Sequence, residues 1–69
     1  MIIWEERNNK TQMGFYKDKP LFYLYPVGIS WEIFLSGSGK IKGTLEECKK
    51  WANNKEQIKI ADFIIACRT

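Results

Sequence analysis

The side chains that most enzymes use for proton transfer and metal binding are sparse in this chain. It contains no histidine, which removes the commonest general base and the commonest zinc ligand. Its eight acidic residues do not show the spacing of a metal-binding loop. A chain of 69 residues also leaves no room for a deep cofactor cavity. The sequence therefore predicts a protein that is not an enzyme and has no metal or cofactor.

One stretch, Gly37-Ser38-Gly39-Lys40, invites comparison with a phosphate-binding loop. In that motif an earlier glycine would fall at Phe34, and a magnesium-binding Ser or Thr would stand at Ile41. Neither position fits. Glycine also supplies the positive φ of a hairpin loop, so the stretch is interpreted as a turn.

Aromatic and basic side chains are the remaining candidates for function, and the chain has three Trp, three Tyr and four Phe. Side chains alternate between the two faces of a strand. If Trp31, Ile33 and Leu35 face a helix, Phe34 lies on the opposite face of the sheet. We expect a partner-binding surface there and along its rim, made of Tyr16, Tyr23, Tyr25, Phe34, Lys17, Lys19, Lys40 and Lys42.

Three uses of such a surface are open. Aromatic side chains are enriched at protein interfaces, which favours a larger protein or ribonucleoprotein as partner. Aromatics interleaved with Lys and Arg also stack bases and contact phosphates, so a DNA- or RNA-binding module is the alternative. In the third case the face is buried and binds no other molecule, because the C-terminal segment or a second subunit covers it. A second subunit would make the protein a homodimer.

Size and composition bound the architecture. The whole chain, 1–69, is expected to form a single domain with a thin core. The net charge of +3 is only mildly basic. The N-terminus carries acids where a signal peptide needs an apolar run, and no apolar segment approaches the ~20 residues that span a bilayer. We therefore expect a cytoplasmic protein without a membrane partner.

The pattern of the chain predicts an α+β fold. Alternation and turn residues indicate strands over 1–6, 11–17, 21–25 and 29–35, with a short return over 40–42. We expect an antiparallel sheet of three to four strands. Gly14 inside a strand indicates a bulge or a close approach by another backbone.

A helix is predicted to begin after Thr44, because T-L-E-E is a capping box in which Thr44 and Glu47 satisfy each other's backbone amides. Leu45, Cys48 and Ala52 form one stripe that faces the sheet, and Asn53-Asn54 ends the helix. Residues 55–69 are predicted to add an edge strand, with a second short helix as the alternative. Cys48 and Cys67 are expected to be reduced, buried thiols, since no CxxC is present.

Two resemblances follow from these residues. Trp4, the strands LFYLY and WEIFL, a glycine turn and the segment GTLEECKKWA resemble small accessory proteins of bacteriophages and mobile elements. That resemblance implies a host-takeover or anti-defence factor, anti-CRISPR proteins included, that acts by binding. Residues 11–52 are also similar to the arm-type DNA-binding domain of tyrosine recombinases, which implies a sheet that enters the DNA major groove.

Overall fold

Five antiparallel strands, two α-helices and a short 3₁₀ helix at Asn8–Lys10 make up the protein in a computed structural model, which describes residues 2–68. The sheet is a simple meander in the order β1-β2-β3-β4-β5, and the chain then enters two consecutive helices. The elements are β1 Ile2–Glu6, β2 Gln12–Tyr16, β3 Lys19–Val27, β4 Ser30–Leu35, β5 Lys40–Gly43, α1 Leu45–Ala52 and α2 Lys55–Arg68. The α+β class with an antiparallel sheet is confirmed. The sheet has five strands rather than three to four, because the short segment Lys40–Gly43 pairs with β4 along its length.

Tight turns set the register of the sheet. Lys17 and Asp18 join β2 to β3, and both have positive φ (51° and 65°), as a two-residue hairpin turn requires. The strands predicted over 11–17 and 21–25 left residues 18–20 as the turn, whereas in the structure Lys19 and Pro20 belong to β3. Gly37 adopts φ 76° in the loop between β4 and β5, as expected for a hairpin.

Gly14 allows β1 and β3 side chains to close over β2, at the position where the sequence predicted a bulge or a close approach by another backbone. The register between β2 and β3 shifts at Gly14/Phe15, which marks a bulge. A Cβ atom at Gly14 would lie 2.8 Å from a ring carbon of Trp4 and 2.9 Å from the Cβ of Phe22. Only glycine leaves room for both side chains on this face.

The hydrophobic core lies between the two helices and one face of the sheet, the helix-packed face. Strands β1 to β4 contribute Ile2, Tyr16, Leu21, Phe22, Leu24, Ile33 and Leu35, and the helices contribute Cys48, Ala52 and Ala61. None of the described residues that are buried is charged. Both helices therefore pack on the same side of the sheet.

Helix α1 begins as the capping box predicted. The Thr44 hydroxyl accepts a hydrogen bond from the Glu47 amide (3.1 Å), and the Glu47 carboxylate accepts one from the Thr44 amide (2.9 Å). Those two bonds satisfy amides that the first turn of a helix leaves unpaired. The stripe facing the sheet is also confirmed, since Cys48 and Ala52 are fully buried.

The C-terminal segment is a helix, and the preferred prediction of an edge strand was wrong. Asn54 starts α2 by accepting a hydrogen bond from the Glu56 amide (3.0 Å). Ala61 is buried against the core, with Ile58 and Ile65 packed beside it at helical spacing. The apolar residues of this segment fit either a strand or a helix by their pattern alone, and packing against the rest of the core selects the helix. The expectation for the cysteines holds for Cys48, whereas Cys67 at the end of α2 is exposed.

Candidate partner-binding face

The sheet has one face that neither helix covers, which we call the open face. Because side chains alternate along each strand, the neighbours of the core residues point to this side. Its members, placed by the strand register, are Ile3, Glu5, Met13, Phe15, Tyr23, Tyr25, Glu32, Phe34, Lys40 and Lys42. Ile3 is 65% exposed, which fits a surface without a second layer.

One cross-strand row crosses the whole open face. The register pairs Glu5 with Met13, Met13 with Tyr23, Tyr23 with Phe34, and Phe34 with Lys40. The row therefore runs from an acidic side chain at one edge, through three apolar or aromatic side chains, to a basic one at the other edge. Directly opposed side chains on neighbouring strands interact, so the row forms one continuous surface.

Three aromatic rings lie at the centre of the open face. Tyr23 and Phe34 stack with ring centroids 4.9 Å apart and an interplanar angle of 24°. Tyr25 meets Phe34 edge-on at 6.1 Å and 69°. Both arrangements are favourable for aromatic pairs. The three rings thus hold one another in place while each remains only partly buried.

Polar contacts beside the rings fix the charge of Glu32. The Tyr25 hydroxyl donates a hydrogen bond to Glu32 Oε1, and Lys40 Nζ lies 3.4 Å from the same oxygen. The Tyr25 hydrogen bond, aided by Lys40 and Lys42, lowers the pKa of Glu32, whereas the bond to Glu32 raises the pKa of Tyr25. At neutral pH, Glu32 is therefore an anion that is already satisfied within the protein.

A hollow of about 270 Å³ opens on this face. Apolar and aromatic side chains form its floor, with Arg7 at its side; the lining is Arg7, Thr11, Gln12, Met13, Tyr23, Leu24, Tyr25 and Phe34. Arg7 lies near Met13, with its Nη2 atom 3.9 Å from the Met13 sulfur. The same nitrogen is 2.8 Å from Glu5 Oε1. The hollow is close to the lower size limit of ligand sites and accommodates a single bulky side chain.

Five of the eight residues predicted to bind a partner come together on the open face: Tyr23, Tyr25, Phe34, Lys40 and Lys42. Lys17 lies in the β2–β3 turn, where it forms an ion pair with Asp62 of α2 (2.9 Å). Lys19 is exposed at the same end of the sheet, paired in register with Tyr16. Neither lysine adjoins the aromatic centre.

Tyr16 is the clear correction among the predicted residues, because its side chain lies on the helix-packed face. It is only 7% exposed, and its hydroxyl donates to Asp62 (2.9 Å). In β2, Met13 and Phe15 point to the open face instead, so sequence reasoning missed both of them as site residues. Gly14 and Tyr16 lie on the same side of β2, because alternate residues of a strand share a face. Gly14 leaves space for the Trp4 ring on that side, so it was the signal that Tyr16 faces the core.

A metal-binding cluster does not appear in the part of the chain that the structure describes. Within residues 2–68, no group of three or more Cys, Asp or Glu side chains could hold a metal ion. Neither α1 nor α2 combines the length and the apolar character of a membrane-crossing helix.

Comparison of the chain with protein-family models, with curated proteins and with solved structures gave no match. The class of protein is therefore defined by its own fold and site. It is a small α+β protein with a five-stranded meander, two helices on one side and an aromatic face open on the other.

Proposed function

We propose that this protein is a non-enzymatic binding protein whose open face docks on a larger protein or ribonucleoprotein. The observation that carries the proposal is the uncovered aromatic centre, in which Tyr23 and Tyr25 both pack on Phe34 and no helix lies above the three rings. Clustered Tyr and Phe side chains beside a hollow are the usual anchors of protein interfaces. The open face therefore supports recognition of another protein.

The geometry supports a protein partner better than a nucleic acid. Tyr23 and Phe34 use one ring face on each other, whereas base stacking needs ring faces turned toward the strand. Two cations of the face already have carboxylate partners, Arg7 with Glu5 and Lys40 with Glu32. Phosphate binding would have to compete with both ion pairs.

The resemblance to small phage and mobile-element proteins indicates which kind of binding protein this is. Such proteins act by occupying a surface of a host or defence complex, and this needs only a stable scaffold and one docking face. We therefore propose an inhibitory or accessory factor of that type, working in the cytoplasm of the host cell.

A pull-down from nuclease-treated bacterial lysate tests the proposal. Tagged wild-type protein is compared with Phe34→Ser, which alters the open face, and with Phe63→Ser, which alters an exposed phenylalanine on α2 (68% exposed). A specific partner should be lost with Phe34→Ser and retained with Phe63→Ser. Circular dichroism and thermal melts establish that both variants are folded.

Two results would count against a protein partner at the open face. One is a retained protein that Phe34→Ser does not affect. The other is binding that requires nucleic acid, seen as loss of the complex after nuclease treatment and as a gel shift that weakens steeply with salt.

A further inference from the structure

We infer that the partner presents a bulky apolar side chain flanked by carboxylates, with the apolar group in the hollow of the open face and the carboxylates on Arg7 and Lys42. This inference rests on the proposed function and specifies the chemistry of the partner. It follows from the shape of the hollow, from the charges on its two sides and from the distance between them.

The hollow selects an apolar group. Its floor is made by Met13, Tyr23, Tyr25 and Phe34, and none of these side chains carries a charge. The Tyr25 hydroxyl, which could bind a polar group, is committed to Glu32. A side chain that enters the hollow therefore meets ring and thioether surface, which favours an aromatic or a large aliphatic residue.

The side of the hollow near β1 has spare hydrogen-bond donors. A guanidinium has five N–H donors, and within residues 2–68 the contacts of Arg7 to Glu5 and Met13 both use Nη2. Nη1 and Nε therefore remain available for a carboxylate, which Arg binds as a fork. The nearby Glu5 disfavours a second anion only in part, since Arg7 already neutralises it.

The side of the hollow near β5 carries an excess of positive charge. Lys40 and Lys42 both lie there, and Glu32 is the carboxylate that faces them. Lys40 lies within ion-pair distance of Glu32, whereas no carboxylate of residues 2–68 lies within 4.0 Å of Lys42. One cation is therefore in excess, and an acidic group on the partner complements it.

The spacing of the two cationic sides limits the shape of the partner. Arg7 continues β1 and Lys42 lies in β5, so four strand spacings of about 4.8 Å separate them, or roughly 19 Å. An extended segment rises about 3.3 Å per residue, so six residues cover that distance. Because alternate side chains of an extended segment share a face, the apolar residue must lie an even number of positions from both acids, and the hollow lies nearer Arg7 than Lys42. The expected motif is an acid, one small residue, a bulky apolar residue, three small residues and an acid.

Synthetic peptides test this motif directly. We would titrate the ¹⁵N-labelled protein with capped peptides ESWSSSE, QSWSSSQ, KSWSSSK and ESASSSE and follow amide shifts. ESWSSSE should shift amides of Met13, Tyr23, Tyr25 and Phe34. Replacing the acids with Gln should raise Kd roughly three- to tenfold, as expected for two exposed ion pairs, and Lys should raise it further. Replacing Trp with Ala should raise Kd roughly tenfold.

Protein variants assign the two carboxylate contacts. Arg7→Gln and Lys42→Gln should each remove part of the preference for ESWSSSE over QSWSSSQ, and Lys59→Gln on α2 is the control. Equal Kd values for the Glu and Gln peptides at the open face would overturn the inference while leaving that face as a docking surface. Peptide shifts confined to α2 would contradict both the inference and the proposed face.

Three other results also overturn the acidic-partner assignment. Absence of any peptide shift at millimolar concentration is one. A second is a single-stranded dT10 oligonucleotide that shifts the open-face amides when ESWSSSE does not, which would identify a nucleic-acid site. The third is broadening of the same amides with protein concentration alone, which would identify a second copy as the occupant.

Discussion

Tyr23 and Phe34 stand opposite each other on β3 and β4, and their rings stack 4.9 Å apart on a face of the sheet that no helix covers. Such a pair contributes about 0.5–1.5 kcal/mol beyond its buried area. More important for binding, the rings are already ordered before a partner arrives. Ordering side chains is part of the free-energy cost of association, so a prearranged pair lowers that cost.

Phe34 and Phe22 should respond differently to truncation. Phe22 is fully buried on the helix-packed face, and Phe22→Ala should cost about 3–5 kcal/mol of unfolding free energy, enough to unfold so small a domain. Phe34 is only partly buried, and Phe34→Ala should cost about 1 kcal/mol. Urea denaturation measures both values. A Phe34→Ala variant as unstable as Phe22→Ala would show that the open face belongs to the core.

Gly14 should tolerate no side chain. Gly14→Ala would bring a Cβ within 3.0 Å of Trp4 and Phe22, and overpacking of this kind costs about 1–3 kcal/mol. Gly39→Ala is the matched control, because the nearest side-chain atom, from Trp51, lies 4.0 Å from the new Cβ. Thermal melts should place Gly14→Ala well below the wild type and Gly39→Ala close to it. Equal melting temperatures would refute the close approach of Trp4.

Stability should fall at acidic pH through two carboxylates. The Lys17 hydrogen bond lowers the pKa of Asp62, and the Tyr25 hydrogen bond lowers the pKa of Glu32. Because these pKa values are lower in the folded than in the unfolded state, their stabilisation is present above about pH 4 and is lost as the pH drops through the folded-state values. Urea midpoints between pH 2 and 7 measure this loss. Asp62→Asn should flatten it, and an unchanged pH profile in that variant would contradict the Lys17 and Tyr16 contacts of Asp62.

At alkaline pH the stability of the protein should depend on pH with the opposite sign, falling as the pH rises. Burial raises the pKa of Tyr16, and the bond to Glu32 raises that of Tyr25. Their contribution is present below pH 10 and is lost as the pH rises through the folded-state values. Unfolding midpoints between pH 8 and 12 should fall late in that range, and Tyr25→Phe should reduce the dependence. A flat profile would contradict the tyrosine contacts.

The two thiols should differ in reactivity. Cys48 is fully buried, its thiol donates to the Trp31 carbonyl (3.6 Å), and burial raises the pKa of its thiol. Cys67 is exposed on α2. The thiolate is the reactive form, so Ellman's reagent should titrate one thiol in the native protein and two in denaturant. Cys67→Ser should remove the fast reaction. A fast reaction that remains in Cys67→Ser would show that Cys48 is accessible.

Local chemistry made several elements of this fold predictable. The capping box at Thr44 and Glu47 satisfies backbone groups within one turn, so no distant residue is needed to specify it. The alternation of Trp31, Ile33 and Leu35 with Glu32 and Phe34 likewise identified the two faces of β4. The same alternation placed Phe34 on the face that we propose for binding.

Long-range contacts decided the rest. In β2, alternation separated Met13 and Phe15 from Tyr16 but did not say which set faces the helices; Trp4 closing over Gly14 and Asp62 reaching Tyr16 determine that. The segment 55–68 was compatible with a strand or a helix until its apolar side chains packed on the sheet. The sequence alone was sufficient for the helix cap, the glycine loop before β5 and the alternation of side chains, because these depend on neighbouring residues. The choice of the buried face required the folded structure, because burial depends on residues far apart in the chain.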